Sequence, residues 1–259
     1  MILEVLVSTM KCTSYKELYK KMNLTTDAFI VNQSDNDLGT IKEKIKESVL
    51  KGMTFCEKGV GLSRNMALMR ANGDICLMAD DDMVYVDSYE SIVKRAYSNY
   101  PDADMIVFNV RIHQNGKTIE KVKKNGRVHL WNALKYGTVC FSFRRKNVLE
   151  QRVSFSLLFG GGTGNGSGED TLFITDVLRS GLKVYSVQDV IADVYNDGST
   201  WFNGYNEKYF EDKGTLFKAL FPKLYFFPIL RFTFKYRNLY EEDMSAFKAL
   251  SCMIFGKKV

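Results

Sequence analysis

The sequence predicts an α/β fold: a mostly parallel, doubly wound sheet with an antiparallel flank and a helical C-terminal extension. Three observations predict it. Short apolar runs bounded by turn signals (residues 3–7, 28–31 and 75–79) read as strands buried on both faces, as in a parallel sheet. Breaker-free stretches of helical length follow them, at 15–22 and 62–70. The apolar runs end in polar or acidic residues, where open α/β sheets bind their ligands.

Strand one ends at Ser8-Thr9-Met10, and the helix over 15–22 takes Thr13 or Ser14 as its N-cap. The second run ends at Asn32-Gln33-Ser34-Asp35-Asn36-Asp37. Polar ends of two early parallel strands form the floor of a nucleotide pocket or are ordinary strand-end loops. Residues 41–50 predict a helix leading to a strand or loop at Met53-Thr54-Phe55. Gly59 and Gly61 permit a tight backbone approach before the helix at 62–70, and Gly73 marks that helix's end. Arg64 falls on the first turn, where it reaches a phosphate or makes a surface salt bridge. Residues 89–99 predict a helix beyond the cleft and 103–113 a strand. Asn115-Gly116 is a hairpin signal and Asn125-Gly126 a second, so the middle of the chain turns antiparallel. Residues 138–144 predict a strand followed by a basic turn, Arg144-Arg145-Lys146. A helix over 171–179 carries Leu172, Phe173, Val177 and Leu178, and strands follow at 182–187 and 191–194.

A length of 259 residues suffices for one large α/β domain. Hydrophobic residues make up 46% and charged residues 25%, an ordinary globular balance that excludes a disordered chain. The five Cys are scattered without C-x-x-C spacing, which points to reduced thiols and a cytoplasmic setting. The chain opens directly on strand residues, so no leader peptide is expected. The net charge of +6 sits in the tail: from Lys213 to Val259 there are 9 Lys and Arg against 3 Asp and Glu. A nucleic-acid binder would carry its basic surface on the folded body, so nucleic acid is not an expected partner. The tail also holds 11 aromatic residues from Phe217 onward and no apolar stretch long enough to span a membrane. A peripheral membrane contact fits this pattern, and a helical hairpin packed on the body or on a second copy of the chain, a homodimer, fits it as well.

Two stretches carry chemistry. The first is Asp80-Asp81-Asp82, three carboxylates where a buried strand runs out. Like charges this close repel, so they hold a hard cation, Mg2+ or Mn2+, or remain a solvated acidic turn. The second runs from Phe159 through Gly160-Gly161-Gly162 and Gly164, Gly166 and Gly168 to Glu169-Asp170. Six Gly in ten residues make neither helix nor core strand, so the loop is floppy or passes close to a ligand. Acids at a helix start serve as dipole partners or as chemical groups. His113 and His129 have no Cys or second His at metal-ligand spacing and read as structural or solvent-facing.

Gly-Leu-Ser-Arg-Asn, then Ala-Asn-Gly-Asp, an apolar strand and the Asp80–Asp82 cluster, together with the Gly-rich Glu-Asp loop, resemble the family 2 glycosyltransferases over about residues 2–202. That resemblance implies an inverting enzyme of GT-A fold, of the bacterial surface-polysaccharide type. It makes residues 1–202 the catalytic domain and 203–259 a helical, basic and aromatic extension. It implies a D-x-D metal motif with Asp82 and Asp80 as ligands of Mn2+ or Mg2+. Ser8, Thr9, Asn32, Asp35, Arg64, Asn65, Asp80 and Asp81 would bind the nucleotide-sugar donor, a UDP-sugar. Asp170 would be the general base and Glu169 its neighbour in orienting the acceptor, a glycan or lipid-linked hydroxyl. Gly162, Gly168, Glu169 and Trp201 would contact that acceptor. The chain departs from the family's paired Asp in the second segment, where it has Asn32-Gln33, and from a metal-ligating His near Trp201. Asn196, Asp197 and Asp193 stand as oxygen donors there. The protein would be cytoplasmic or peripheral on the inner face of the plasma membrane. A metal-dependent nucleotidyltransferase and a non-catalytic sugar-nucleotide-binding scaffold are the alternative readings.

Overall fold

A computed structural model describes residues 1–35, 39–114, 116–195 and 204–256. Strand β1 (Leu3–Met10) is apolar and buried nearly end to end, as a central parallel strand must be. Helix α1 (Tyr15–Lys21) follows, with Ser14 accepting a hydrogen bond from the Glu17 N–H as its N-cap. Then come β2 (Asp27–Gln33), β3 (Thr40–Ile45), β4 (Ser48–Phe55), α2 (Val60–Arg70), β5 (Ile75–Asp80), β6 (Met83–Tyr85) and α3 (Tyr89–Asn99). The middle of the chain supplies β7 (Met105–Gln114), β8 (Lys117–Ile119), β9 (Gly126–Arg127), α4 (Leu130–Ala133), β10 (Phe141–Arg144) and α5 (Arg145–Glu150). The last elements are α6 (Glu169–Arg179), β11 (Val184–Tyr195), α7 (Glu207–Leu220), α8 (Phe226–Lys235) and α9 (Ala246–Phe255).

The sheet runs β3-β4-β2-β1-β5-β10-β7-β11-β6, with β8 on β7 and β9 on β11. Strands β4, β2, β1 and β5 are mutually parallel, and β7 is parallel to β11. Between these blocks β10 runs antiparallel to both neighbours. The main core lies against this sheet and includes Val5, Leu6, Ile30, Leu77, Phe108 and Phe173.

Several expectations are corrected. Residues 41–50 form no helix; β3 and β4 make a hairpin with Ile45 opposite Ser48, and Lys46 holds the turn at φ 54°. Ile41 and Ile45 are four apart, a spacing that suits one face of a helix or of a strand alike, and strand pairing decides it. Lys42, Glu43 and Lys44 stand exposed on this edge strand, which discourages further pairing. Asn125-Gly126 is no hairpin turn, because β9 pairs with distant β11 and Asn125 caps the Gln188 N–H. Of the Asn115-Gly116 pair only Gly116 is described, between the paired Gln114 and Lys117. The strand expected over 138–144 begins as a 3-10 turn, Thr138–Cys140. The expected basic turn opens α5, and Arg144 and Arg145 donate to the carbonyls of Ala103 and Gly73. The two strands expected near 182–194 are one, β11, with an irregularity between Val187 and Ala192.

Helix α2 lies so close to the chain after α5 that a β-carbon on Gly61 would sit 2.1 Å from the Ser156 carbonyl oxygen. Gly61→Ala is therefore expected to destabilise the protein by about 1–3 kcal/mol, read as a lower urea midpoint. An unchanged midpoint would mean that this packing yields freely.

Helices α7, α8 and α9 enclose a small core of their own around Phe210, Ile229, Tyr240 and Met253. A third cluster, Phe159, Leu172, Leu216 and Leu220, joins α7 to α6 and the Gly-rich loop. The expected junction near residue 202 lies outside the described residues. No helix among the described residues is long and apolar enough to cross a membrane.

Candidate active site

The carboxyl ends of β1, β2 and β5 open onto a cleft of about 920 Å3. Its floor takes Ser8 and Thr9 from β1 and Gln33 from β2. One wall carries Asp80, Asp81 and Asp82, and the opposite wall is the loop of Gly161, Gly162, Gly166 and Gly168 with Glu169 and Asp170 at the start of α6. The two chemical stretches of the sequence thus face one space.

Arg64 ties them together. Its Nη1 donates to Glu169 Oε1 at 2.7 Å and its Nη2 to Asp80 Oδ1 at 3.0 Å. The guanidinium is buried, 5.6 Å from the centre of the Phe155 ring. Arg64 lies on the second turn of α2, since that helix starts at Val60, and its partners are two carboxylates of the cleft in place of a surface residue. Burial pushes the Glu169 carboxyl up, the charge of Asp170 adds to this, and Arg64 opposes it. Glu169 Oε2 also accepts the Gly168 N–H, so Glu169 is held on both oxygens.

Asp170 is held on one side only. Its Oδ1 accepts from the Thr171 N–H at 2.6 Å and from the Thr171 hydroxyl at 3.2 Å. Its Oδ2 points past Gly137, 3.4 Å from where a β-carbon there would stand. The Lys213 ammonium of α7 lies over the rings of Tyr209 and Phe232; burial lowers its pKa, and the charges of Asp170 and Asp212 oppose that. Gly168 has a φ of 123°, and a β-carbon on it would lie 2.6 Å from Leu216 Cδ1. Only glycine suits both that backbone and that contact.

The three acids differ in their partners. Asp80 is paired with Arg64, and Asp81 Oδ2 accepts from the Thr9 hydroxyl. Asp82 makes no ion pair among the described residues. Burial, with the charges of Asp80 and Asp81, pushes its carboxyl up to about 6. No three His, Cys, Asp or Glu side chains among the described residues form a ready cage for a metal. An all-oxygen acidic cluster in which Asp81 and Asp82 make no ion pair among the described residues nevertheless suits Mg2+ or Mn2+, which such sites hold through one or two carboxylates plus a ligand's phosphates.

Other expected residues lie elsewhere. Asn32 is buried and turned from the cleft; its amide accepts from the Cys12 N–H and donates to the Cys12 carbonyl, both at 2.9 Å. Asn65 does the same for Phe155, at 2.8 Å each way. Both fasten backbone, and neither lines the cleft; exposed Asp35 does not line it either. Asp193 is clamped by Arg111 and His113, each at 2.6 Å, which removes it as a free oxygen donor. Trp201, Asn196 and Asp197 lie outside the described residues, as do Asn36 and Asp37. Helix α3 packs beside β11 and lines no part of the cleft.

Sequence reasoning missed Tyr195 and Lys58. Tyr195 lines the cleft and stacks on His113, with ring centres 4.8 Å apart. Lys58 lines it just before Gly59. No local signal marks either of them; a strand end and a loop lysine line the cleft only through the fold.

The fold is α/β, with a cleft lined by acidic residues at the carboxyl ends of its strands. No protein-family model matches the sequence, and no curated protein matches it. Among solved structures the chain is similar to Staphylococcus aureus TarS 1-349 in complex with UDP-GlcNAc, with a TM-score of 0.69 and 16% identity over 99% of this chain and 81% of that one. TarS 1-349 alone and in complex with UDP give TM-scores of 0.66 and 0.65. The structure titled simply S. aureus TarS gives 0.65, covering 100% of this chain and 49% of that one. This chain has the TarS fold: a large mixed sheet with a helical C-terminal part.

Proposed function

We propose that this chain is an inverting, metal-dependent glycosyltransferase that moves a sugar from a nucleoside-diphosphate donor, a UDP-sugar, to a hydroxyl of a glycan or lipid-linked acceptor. The observation that carries the reading is the shared cleft, in which Arg64 joins the acidic cluster to the Glu169-Asp170 pair. The UDP-GlcNAc and UDP complexes of TarS support the choice of donor, as a likeness of fold.

In this reading Asp170 takes the proton of the acceptor hydroxyl as its oxygen bonds the anomeric carbon. The bond from that carbon to the diphosphate breaks on the opposite face, and the nucleoside diphosphate leaves with the electron pair. Displacement is direct and needs no enzyme nucleophile. Asp82, with Asp80 beside it, would hold Mg2+ or Mn2+, which when bound offsets the charge growing on the diphosphate. Arg64 keeps Asp80 and Glu169 in register, and Glu169 with Gly162 and Gly168 shapes the acceptor side. Ser8 and Thr9 form the donor floor.

A panel of sugar nucleotides, assayed with and without Mn2+ on wild type and Asp82→Ala, tests this. One donor should release nucleoside diphosphate in a metal-dependent way, with the variant slower by roughly a hundredfold. Pyrophosphate as the product would instead indicate a nucleotidyltransferase. No release and no calorimetric binding of any donor would reject the donor site.

A further inference from the structure

We propose that the exposed face of α8 docks on an anionic lipid bilayer as an interfacial helix. From Lys213 to Tyr240 the chain carries six Lys and Arg and not one Asp or Glu. Phe227, Arg231 and Phe234 recur at four- and three-residue spacing and so share one side of α8. Phe227 is 68% exposed and Phe234 64%, while Ile229 and Thr233 on the opposite side are fully buried in the small helical core. Leu224, 58% exposed, stands just before the helix. Lys223, Arg231 and Lys235 make no ion pair among the described residues.

Each half of this pattern has a physical meaning. Large aromatic side chains exposed in a row, on a helix already anchored by its other face, cost free energy in water and gain it at the headgroup boundary. Three uncompensated cations among them attract an anionic surface and repel any cationic one. A purely apolar partner would leave those charges unpaired as it covered them, whereas lipid phosphates supply the opposite charge at the same depth as the rings. The amphipathic face is too short and too charged to span, which sets it on the surface. Because α7 links α8 to the Gly-rich loop, a docked α8 would hold the cleft's acceptor wall at a set orientation to the lipid.

Vesicle flotation tests the inference without any assay of transfer. The full chain is mixed with phosphatidylcholine vesicles, with or without about a third phosphatidylglycerol, at low and high salt. Wild type should float with the anionic vesicles, less at high salt, and not with pure phosphatidylcholine. Lys223→Gln, Arg231→Gln and Lys235→Gln combined should weaken this roughly a hundredfold, at about fivefold per charge. Phe227→Ser with Phe234→Ser should remove the part that survives high salt. As a variant that keeps the face intact, Phe227→Trp should show fluorescence quenched by brominated lipid. Wild type that stays unbound at low salt, or flotation untouched by the substitutions, would overturn the proposal. So would a dimer in sedimentation velocity that dissociates on the Phe substitutions without vesicle binding, for then the face joins two copies of the chain.

Discussion

Asp170→Asn is expected to lower turnover on the preferred donor by roughly 10^2 to 10^4, the usual worth of a positioned general base. The substitution is chosen to spare the fold. Asp170 Oδ1 accepts from the Thr171 N–H and hydroxyl, and an amide oxygen in that place accepts both. The start of α6 is kept, and donor binding measured by calorimetry should stay within a factor of about three. Only the oxygen that in the proposed reaction would take the acceptor's proton is lost, because an amide nitrogen at that position has no basic lone pair. Turnover near wild type would remove Asp170 from the chemistry, whereas equal losses in binding and turnover would assign it to the donor pocket.

Arg64→Met should cost stability most. The buried guanidinium satisfies Glu169 and Asp80 together, and removing it strands Glu169 as a buried, unpaired carboxylate. Breaking a buried pair from one side costs about 3–5 kcal/mol, which for a chain of this size is roughly a 10 °C fall in melting temperature. Burial already pushes the Glu169 carboxyl up with Arg64 present, and without Arg64 it rises further. The folded variant then keeps a proton that the unfolded chain releases from about pH 4 upward. Its deficit should therefore grow as pH rises through the carboxylate range and shrink on acidification. Arg64→Met combined with Glu169→Gln should recover part of the loss at neutral pH. Arg64→Lys should fall between, since one ammonium does not fork to two carboxylates. A melt unchanged in Arg64→Met would mean that water compensates both acids.

Local chemistry was readable where one segment contains its own explanation. Strand β5 with its terminal acids, and α6 opening on Glu169-Asp170, need only apolar period, turn residues and caps. The ion pairs of Arg64 were not readable, because Glu169 is 105 positions away and no local pattern announces it. Asn32 and Asn65 show a different limit. A polar side chain near a strand end or helix start serves a ligand or a neighbouring backbone amide equally well by composition, and here both went to backbone. The β3–β4 hairpin failed for a third reason: a spacing common to helix and strand is settled by the edge it pairs with.

The Gly-rich loop does not stand alone. Lys208 donates to the Gly164 carbonyl, Asp212 accepts the Gly166 N–H, and Leu216 fills the space over Gly168, all from α7. The interdependent unit therefore extends past the last strand of the sheet. A fragment cut ahead of Glu207 would retain all eleven strands described yet leave the loop opposite Asp82 unmoored. Grafting a different extension would change the shape of the cleft as surely as rewriting the loop itself.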